Sequence, residues 1–105
     1  MAQFDVYVNP GRQRATIPYV VVLQSARFDR SATRFVAPLI LRSAVRTEEH
    51  YLAPCFAIEG QDVVMDVFNL ATLPANRLGQ CVVSLIDDVS RSKLIRALDE
   101  LISQA

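Results

Sequence analysis

The 105-residue sequence contains no tryptophan, one histidine, one lysine, two cysteines and three glycines, and its 11 basic residues are balanced by 11 acidic ones. Each scarcity removes a class of chemistry. His50 stands between Glu49 and Tyr51 in a polar stretch, the setting of a solvated side chain rather than of an acid-base catalyst with a partner. Two distant cysteines and that one histidine fall short of the three or four correctly spaced ligands a zinc ion needs, and no other cofactor is expected. Gly11, Gly60 and Gly79 occur singly, each in a turn, which excludes a phosphate-cradling glycine loop. Cys55 and Cys81 belong to no paired motif and lie among apolar neighbours. They are expected as core thiols in a reducing cytoplasm, with a disulfide left open.

A formal net charge of zero argues against tight nonspecific binding to nucleic acid or to an anionic membrane. Ten of the 11 basic residues are arginine, which fits either selection for bidentate carboxylate or phosphate contacts or codon bias in a GC-rich genome. The longest apolar run, Tyr19 to Leu23, is too short to cross a bilayer, and no basic stretch followed by an apolar core opens the sequence. The expectation is a cytoplasmic protein with no membrane partner. With 51% apolar residues, positions 1–105 fit a single domain. A chain this short buries a modest share of its surface, so a homodimer is expected.

Periodicity supplies the elements. Phe4, Val6 and Val8 alternate with Asp5, Tyr7 and Asn9, predicting a half-buried strand. Asn9-Pro10-Gly11 marks a turn, followed by an exposed Arg12-Gln13-Arg14. A second strand runs from about Ile17 to Gln24, and the adjacent Val20, Val21 and Val22 predict burial on both faces or against a partner. Arg27, Asp29, Arg30 and Ser31 mark a loop. Phe35 to Leu41 gives a third strand, in which Pro38, lacking an N–H, indicates an edge or a bulge. Arg42 to His50 reads as a loop with room for one helical turn. Cys55–Ile58 and Val63–Phe68 form a hairpin around Glu59-Gly60-Gln61-Asp62, Asn69–Pro74 breaks it, and Leu78–Val83 supplies a last short strand. Leu94, Ile95, Leu98, Leu101 and Ile102 recur at helical spacing opposite Arg91, Lys93, Arg96, Asp99 and Glu100. Asp88 or Ser90 is expected to cap this amphipathic helix. The sum is a mainly β, α+β domain, a small barrel or sandwich covered by one helix.

No catalytic constellation emerges. Asp87-Asp88 is better explained by capping and helix-dipole compensation than as a paired-carboxylate site, and Glu48-Glu49 as a solvated pair. What remains is contact chemistry. Arg12 and Arg14, on a Pro-Gly loop beside Tyr7, can fork carboxylates of an acidic peptide or simply solubilise the loop.

Gln3-Phe4-Asp5-Val6-Tyr7, Val22-Leu23-Gln24-Ser25, Arg34-Phe35-Val36-Ala37-Pro38-Leu39, and the run from Pro54 through Ile58, Gly60, Leu73-Pro74 and Gly79 into the closing helix resemble, in that order, the CcdB toxins. The resemblance implies a small SH3-like antiparallel barrel of the CcdB/MazF type with a C-terminal amphipathic helix, assembled as a homodimer. It implies the toxin half of a type II toxin-antitoxin module, a non-enzymatic topoisomerase inhibitor that binds the A subunit of DNA gyrase and is neutralised by a CcdA-like antitoxin. By position the antitoxin site falls on Tyr7, Asn9, Arg12 and Arg14, and the gyrase-contacting end on Asp99, Ile102, Ser103, Gln104 and Ala105. The family's terminal Trp-Gly-Ile is replaced here by Ser103-Gln104-Ala105. A CcdB-like binding protein that no longer poisons gyrase and a MazF-like endoribonuclease are the alternative functions.

Overall fold

The computed structural model describes residues 2–45 and 53–102. His50, the Glu48-Glu49 pair and Ser103, Gln104 and Ala105 lie outside the described residues. The chain forms strands β1 (Asp5–Val8), β2 (Tyr19–Val22), β3 (Thr33–Leu41), β4 (Cys55–Ile58), β5 (Gln61–Met65), β6 (Ala71–Pro74) and β7 (Cys81–Ser84), then helix α1 (Asp88–Ile102). The strands join in one curled antiparallel sheet of order β4-β5-β3-β2-β1-β7, with β6 also paired to β3. This half-barrel with a single helix is the α+β, SH3-like architecture expected from the sequence.

The long strand β3 organises the sheet. One side of it pairs with β2, while the other is shared by β6 over Thr33–Val36 and by β5 over Leu39–Leu41. Pro38 falls in the gap between those two partners. Its carbonyl accepts Asp66 N–H at 2.9 Å. Because the N and C=O of a strand residue point the same way, its missing N–H faces that gap and costs no ladder bond. The edge predicted at Pro38 is therefore a local one, midway along an internal strand.

Both faces of the sheet are covered. Toward α1 lie Phe4, Val6, Tyr19, Val21, Leu23, Ala37, Leu39 and the buried side chains of the β4–β5 hairpin, packed with Leu94 and Ala97. On the other face Tyr7, Val20, Val22, Val36 and Leu78 form a second cluster. Val20, Val21 and Val22 are thus buried within one chain, and their apolarity is no longer an argument for a dimer. β1 also departs from the half-buried expectation. Asp5 and Tyr7 are buried with Val6, because Leu78 covers Tyr7's face, while Val8 at the strand's end is 45% exposed. Asp5 is satisfied by the Ser84 hydroxyl and by Ala2 N–H at 2.9 Å.

The β4–β5 hairpin turns on two residues rather than four. Ile58 pairs with Gln61, and Glu59 and Gly60 take φ of 51° and 77°. That double left-handed geometry matches the right-handed twist of the flanking strands. Glycine takes it without strain; Glu59 is held there by Tyr19, whose hydroxyl donates to Oε1 at 2.7 Å.

Four local readings are corrected. Asn69–Pro74, read as a break, contains β6. Its exposed short side chains, Ala71 and Thr72, carry no periodicity that a sequence reading detects. The last strand begins at Cys81, and Leu78 instead packs in the second cluster. Cys81 is exposed and Cys55 half-buried, both free; each begins a strand at one end of the sheet order, β7 and β4, where less of the fold covers it. Asp87, rather than Asp88 or Ser90, caps α1: its Oδ2 accepts Ser90 N–H at 3.0 Å. That hydrogen bonding from Ser90 holds the Asp87 carboxyl below the usual carboxylate range.

Candidate protein-interaction sites

Two places on this scaffold present chemistry without absorbing it. The first is the loop Asn9–Thr16, which joins β1 to β2. Asn9 builds it. Its Oδ1 accepts Gly11 N–H at 2.9 Å, its Nδ2 donates to Ile17 O at 2.8 Å, and its backbone N–H donates to Pro18 O at 2.9 Å. Glycine at position 11 suits the Asx turn, since a Cβ there would lie 3.2 Å from Asn9 Oδ1, tighter than ordinary contact. Leu41 N–H reaches Thr16 O at 2.8 Å and ties the far end of the loop to β3.

On this frame Arg14 donates from Nε to Asn9 O at 2.7 Å, which leaves its terminal guanidinium nitrogens directed to solvent, and Arg12 is exposed. Arg77, from the 3₁₀ turn Ala75–Arg77, donates to Pro10 O at 3.3 Å and brings a third guanidinium to the same loop. Sequence reasoning misses Arg77 because nothing local connects it to a loop residue 67 positions away. Among the described residues the single ion pair is Arg96–Glu100 on α1, so these three arginines face no carboxylate of their own chain there. Tyr7 lies in the second core cluster rather than on the loop. It is 4% exposed, and burial, reinforced by the Asp5 carboxylate, raises its phenol above the ordinary value. Asn9 therefore holds the loop's shape, Tyr7 belongs to the core, and Arg12, Arg14 and Arg77 are the loop's outward charge.

The second place is the C-terminal end of α1. Leu94 and Ala97 are buried and Leu98 half-buried, but the apolar stripe outlasts the sheet beneath it: Leu101 is 38% and Ile102 79% exposed. A shallow groove lies between this end and the turn after β5, lined by Val67, Phe68, Ala97, Glu100 and Leu101. Phe68 is 65% exposed, an aromatic side chain held out beside the helix by Asp66, whose Oδ1 accepts Phe68 N–H at 2.9 Å. Asp99 is also placed on this end of α1. The loop arginines and the helix end belong to different elements and form two surfaces, not one site.

Arg34, one of the residues in the family-like segment, is 5% exposed and has no such outward role. Its guanidinium donates to the carbonyls of Asp29, Ser31 and Thr33, and fixes the loop before β3. No group of three or more histidine, cysteine or carboxylate side chains able to hold a metal ion is present among the described residues.

Exposed arginines on a loop and an apolar helix end are suited to contact with another protein. No curated protein sequence matched the chain. The sequence profile of the CcdB protein family matches residues 3–103, nearly the whole chain. The protein therefore belongs to the CcdB family of toxins, which inhibit by binding rather than by catalysis.

Proposed function

We propose that this protein is the toxin of a type II toxin-antitoxin module that acts in the cytoplasm as a homodimer, contacts the A subunit of DNA gyrase through the end of α1, and is neutralised by an acidic antitoxin segment at the Asn9–Thr16 loop. The observation that carries the reading is the family match across residues 3–103 together with the uncovered apolar end of α1, the element through which that family reaches gyrase. The dimer follows from the chain's small size, since a 105-residue domain buries only a modest share of its surface. Sedimentation showing only monomer at micromolar concentration would remove that part.

The target contact is expected to be weak. An aromatic anchor at the centre of an interface is worth roughly 2 kcal/mol or more, and Ser103-Gln104-Ala105 supply none. Phe68 is the aromatic that the fold places beside the helix end. Supercoiling and cleavage-complex assays with an enterobacterial gyrase and with the host's own enzyme test the proposal. Poor inhibition is expected of the first, and stronger inhibition once Trp-Gly-Ile replaces residues 103 to 105. Phe68→Ala should weaken whatever inhibition the host enzyme shows. Inaction on both gyrases, with the replaced end as well, would favour the second reading, a CcdB-like binding protein without gyrase poisoning, which the small polar chain end supports. Potent inhibition undiminished by deletion of residues 103 to 105 would place the target contacts elsewhere.

A further inference from the structure

Helix α1 is attached to the sheet by very little apolar burial. Of its 15 residues only Leu94 and Ala97 are buried. One hydrogen bond joins its body to the sheet among the described residues, from Lys93 Nζ to Cys55 O at 2.6 Å. The same ammonium lies 4.8 Å from the centroid of the Phe56 ring, and the Arg91 guanidinium lies 5.6 Å from that of Phe4.

The placement of these two cations is specific. At 3.6 residues per turn, Arg91 sits about 60° to one side of Leu94 and Lys93 about 100° to the other, so together they bracket the buried stripe. Their aromatic partners are far apart in the sheet: Phe56 belongs to β4, at one end of the strand order, and Phe4 leads into β1, next to the other end. Two side chains from a single helical turn reach both, which the curl of the sheet permits. The last turn of α1, where the macrodipole would favour positive charge, carries no basic residue. Two cations on the two flanks of one buried stripe, each over a different ring of the sheet, indicate a tertiary role.

We infer that Arg91 and Lys93 form a two-sided clamp that sets the rotation and tilt of α1 across the mouth of the half-barrel, and are thereby the positioning residues for the helix's exposed C-terminal end. Each cation holds an aromatic ring from a different part of the sheet, and Lys93 adds a charge-assisted hydrogen bond that fixes its height along β4. The consequence for partner contact rests on the proposed function; the clamp itself does not.

Lys93 is the chain's only lysine, which makes it a single-site probe. In NMR spectra of the full chain, its ε-methylene protons should lie upfield of those of free lysine, from the Phe56 ring current. Lys93→Met keeps the stem and removes the charge; Lys93→Arg keeps a cation. The amide signals of Asp99 to Ile102 should move in Lys93→Met and return in Lys93→Arg, while those of β1 and β2 stay in place. A Lys93→Met, Phe56→Leu cycle should show the two changes coupled by about two- to fivefold in the unfolding equilibrium constant. Unmoved helix-end signals in Lys93→Met, equal shifts in Met and Arg variants, or strictly additive effects would each overturn the clamp. Intact clamp signatures in a protein that binds no gyrase would instead remove the functional reading and leave the clamp standing.

Discussion

Phe4 concentrates more of the fold's demands than any other residue, and its backbone makes an unusual test possible. Its ring is fully buried, its N–H donates to Val22 O at 2.7 Å, its carbonyl accepts Leu85 N–H at 3.0 Å, and its φ is 69°. A bulky side chain in the left-handed region is strained, and the surrounding packing holds it there. Phe4→Ala should cost about 3–5 kcal/mol through lost transfer energy and the cavity left behind. That is a large share of the ~5–15 kcal/mol that keeps a small domain folded. Phe4→Gly loses the ring and also the buried Cβ, about 0.8 kcal/mol more, and ~0.4–1 kcal/mol of extra chain entropy when unfolded, against about 1–2 kcal/mol of released left-handed strain. The two variants should therefore be about equally stable, whereas without the strain glycine would fall about 1–2 kcal/mol below alanine. Equilibrium urea denaturation at one fixed protein concentration measures both variants. An alanine variant more stable than the glycine variant by about 1 kcal/mol or more, or either within about 1 kcal/mol of wild type, would refute the reasoning about strain or burial.

Leu98→Asp, which sets a charge in the half-buried stripe of α1, should cost about 2 kcal/mol or more or dissociate a dimer; an unchanged melting temperature would show the position free of both contacts. The Tyr19 phenol is pushed up to about 12 by burial and by its bond to Glu59, so the fold favours the protonated form. Its contribution is complete below pH ~10, where the unfolded phenol titrates, and declines as the pH rises through the folded value. Alkaline titration of stability should be flatter in Tyr19→Phe, and an identical pH slope would contradict the assignment. Replacing both Arg12 and Arg14 by Glu should weaken binding of an antitoxin tail peptide by about tenfold or more in calorimetry and leave the melting temperature unchanged. Equal affinity would take the loop out of the interface.

How much of the fold is legible in the sequence depends on how local the determining contacts are. The Asn9-Pro10-Gly11 turn, the Val20–Val22 strand and the Glu59-Gly60 turn each rest on neighbours in sequence, and one- and two-residue signals locate them. β6 escapes such a reading because its pairing to β3 is set by a partner about 40 positions away, and Ala71 and Thr72 carry no pattern of their own. The caps show the same limit at a finer scale. Asp87, Asp88 and Ser90 all have capping chemistry, and only the backbone path at the end of β7 selects Asp87. The two candidate surfaces divide in the same way. Arg12 and Arg14 are visible as a charged loop, whereas Tyr7, expected beside them, is turned into the second core cluster by the strand's alternation and covered by Leu78. Arg77 joins the loop through a single bond across the fold, and Phe68 meets the helix end only because the turn after β5 and the last turns of α1 close on one groove. The helix end shows how such contacts bear on the proposed function. Folding sets Phe68 next to Leu101 and gives that surface an aromatic that α1 itself lacks. The proposed target contact can therefore draw an aromatic from another element of the fold, and the activity of Phe68→Ala measures that contribution.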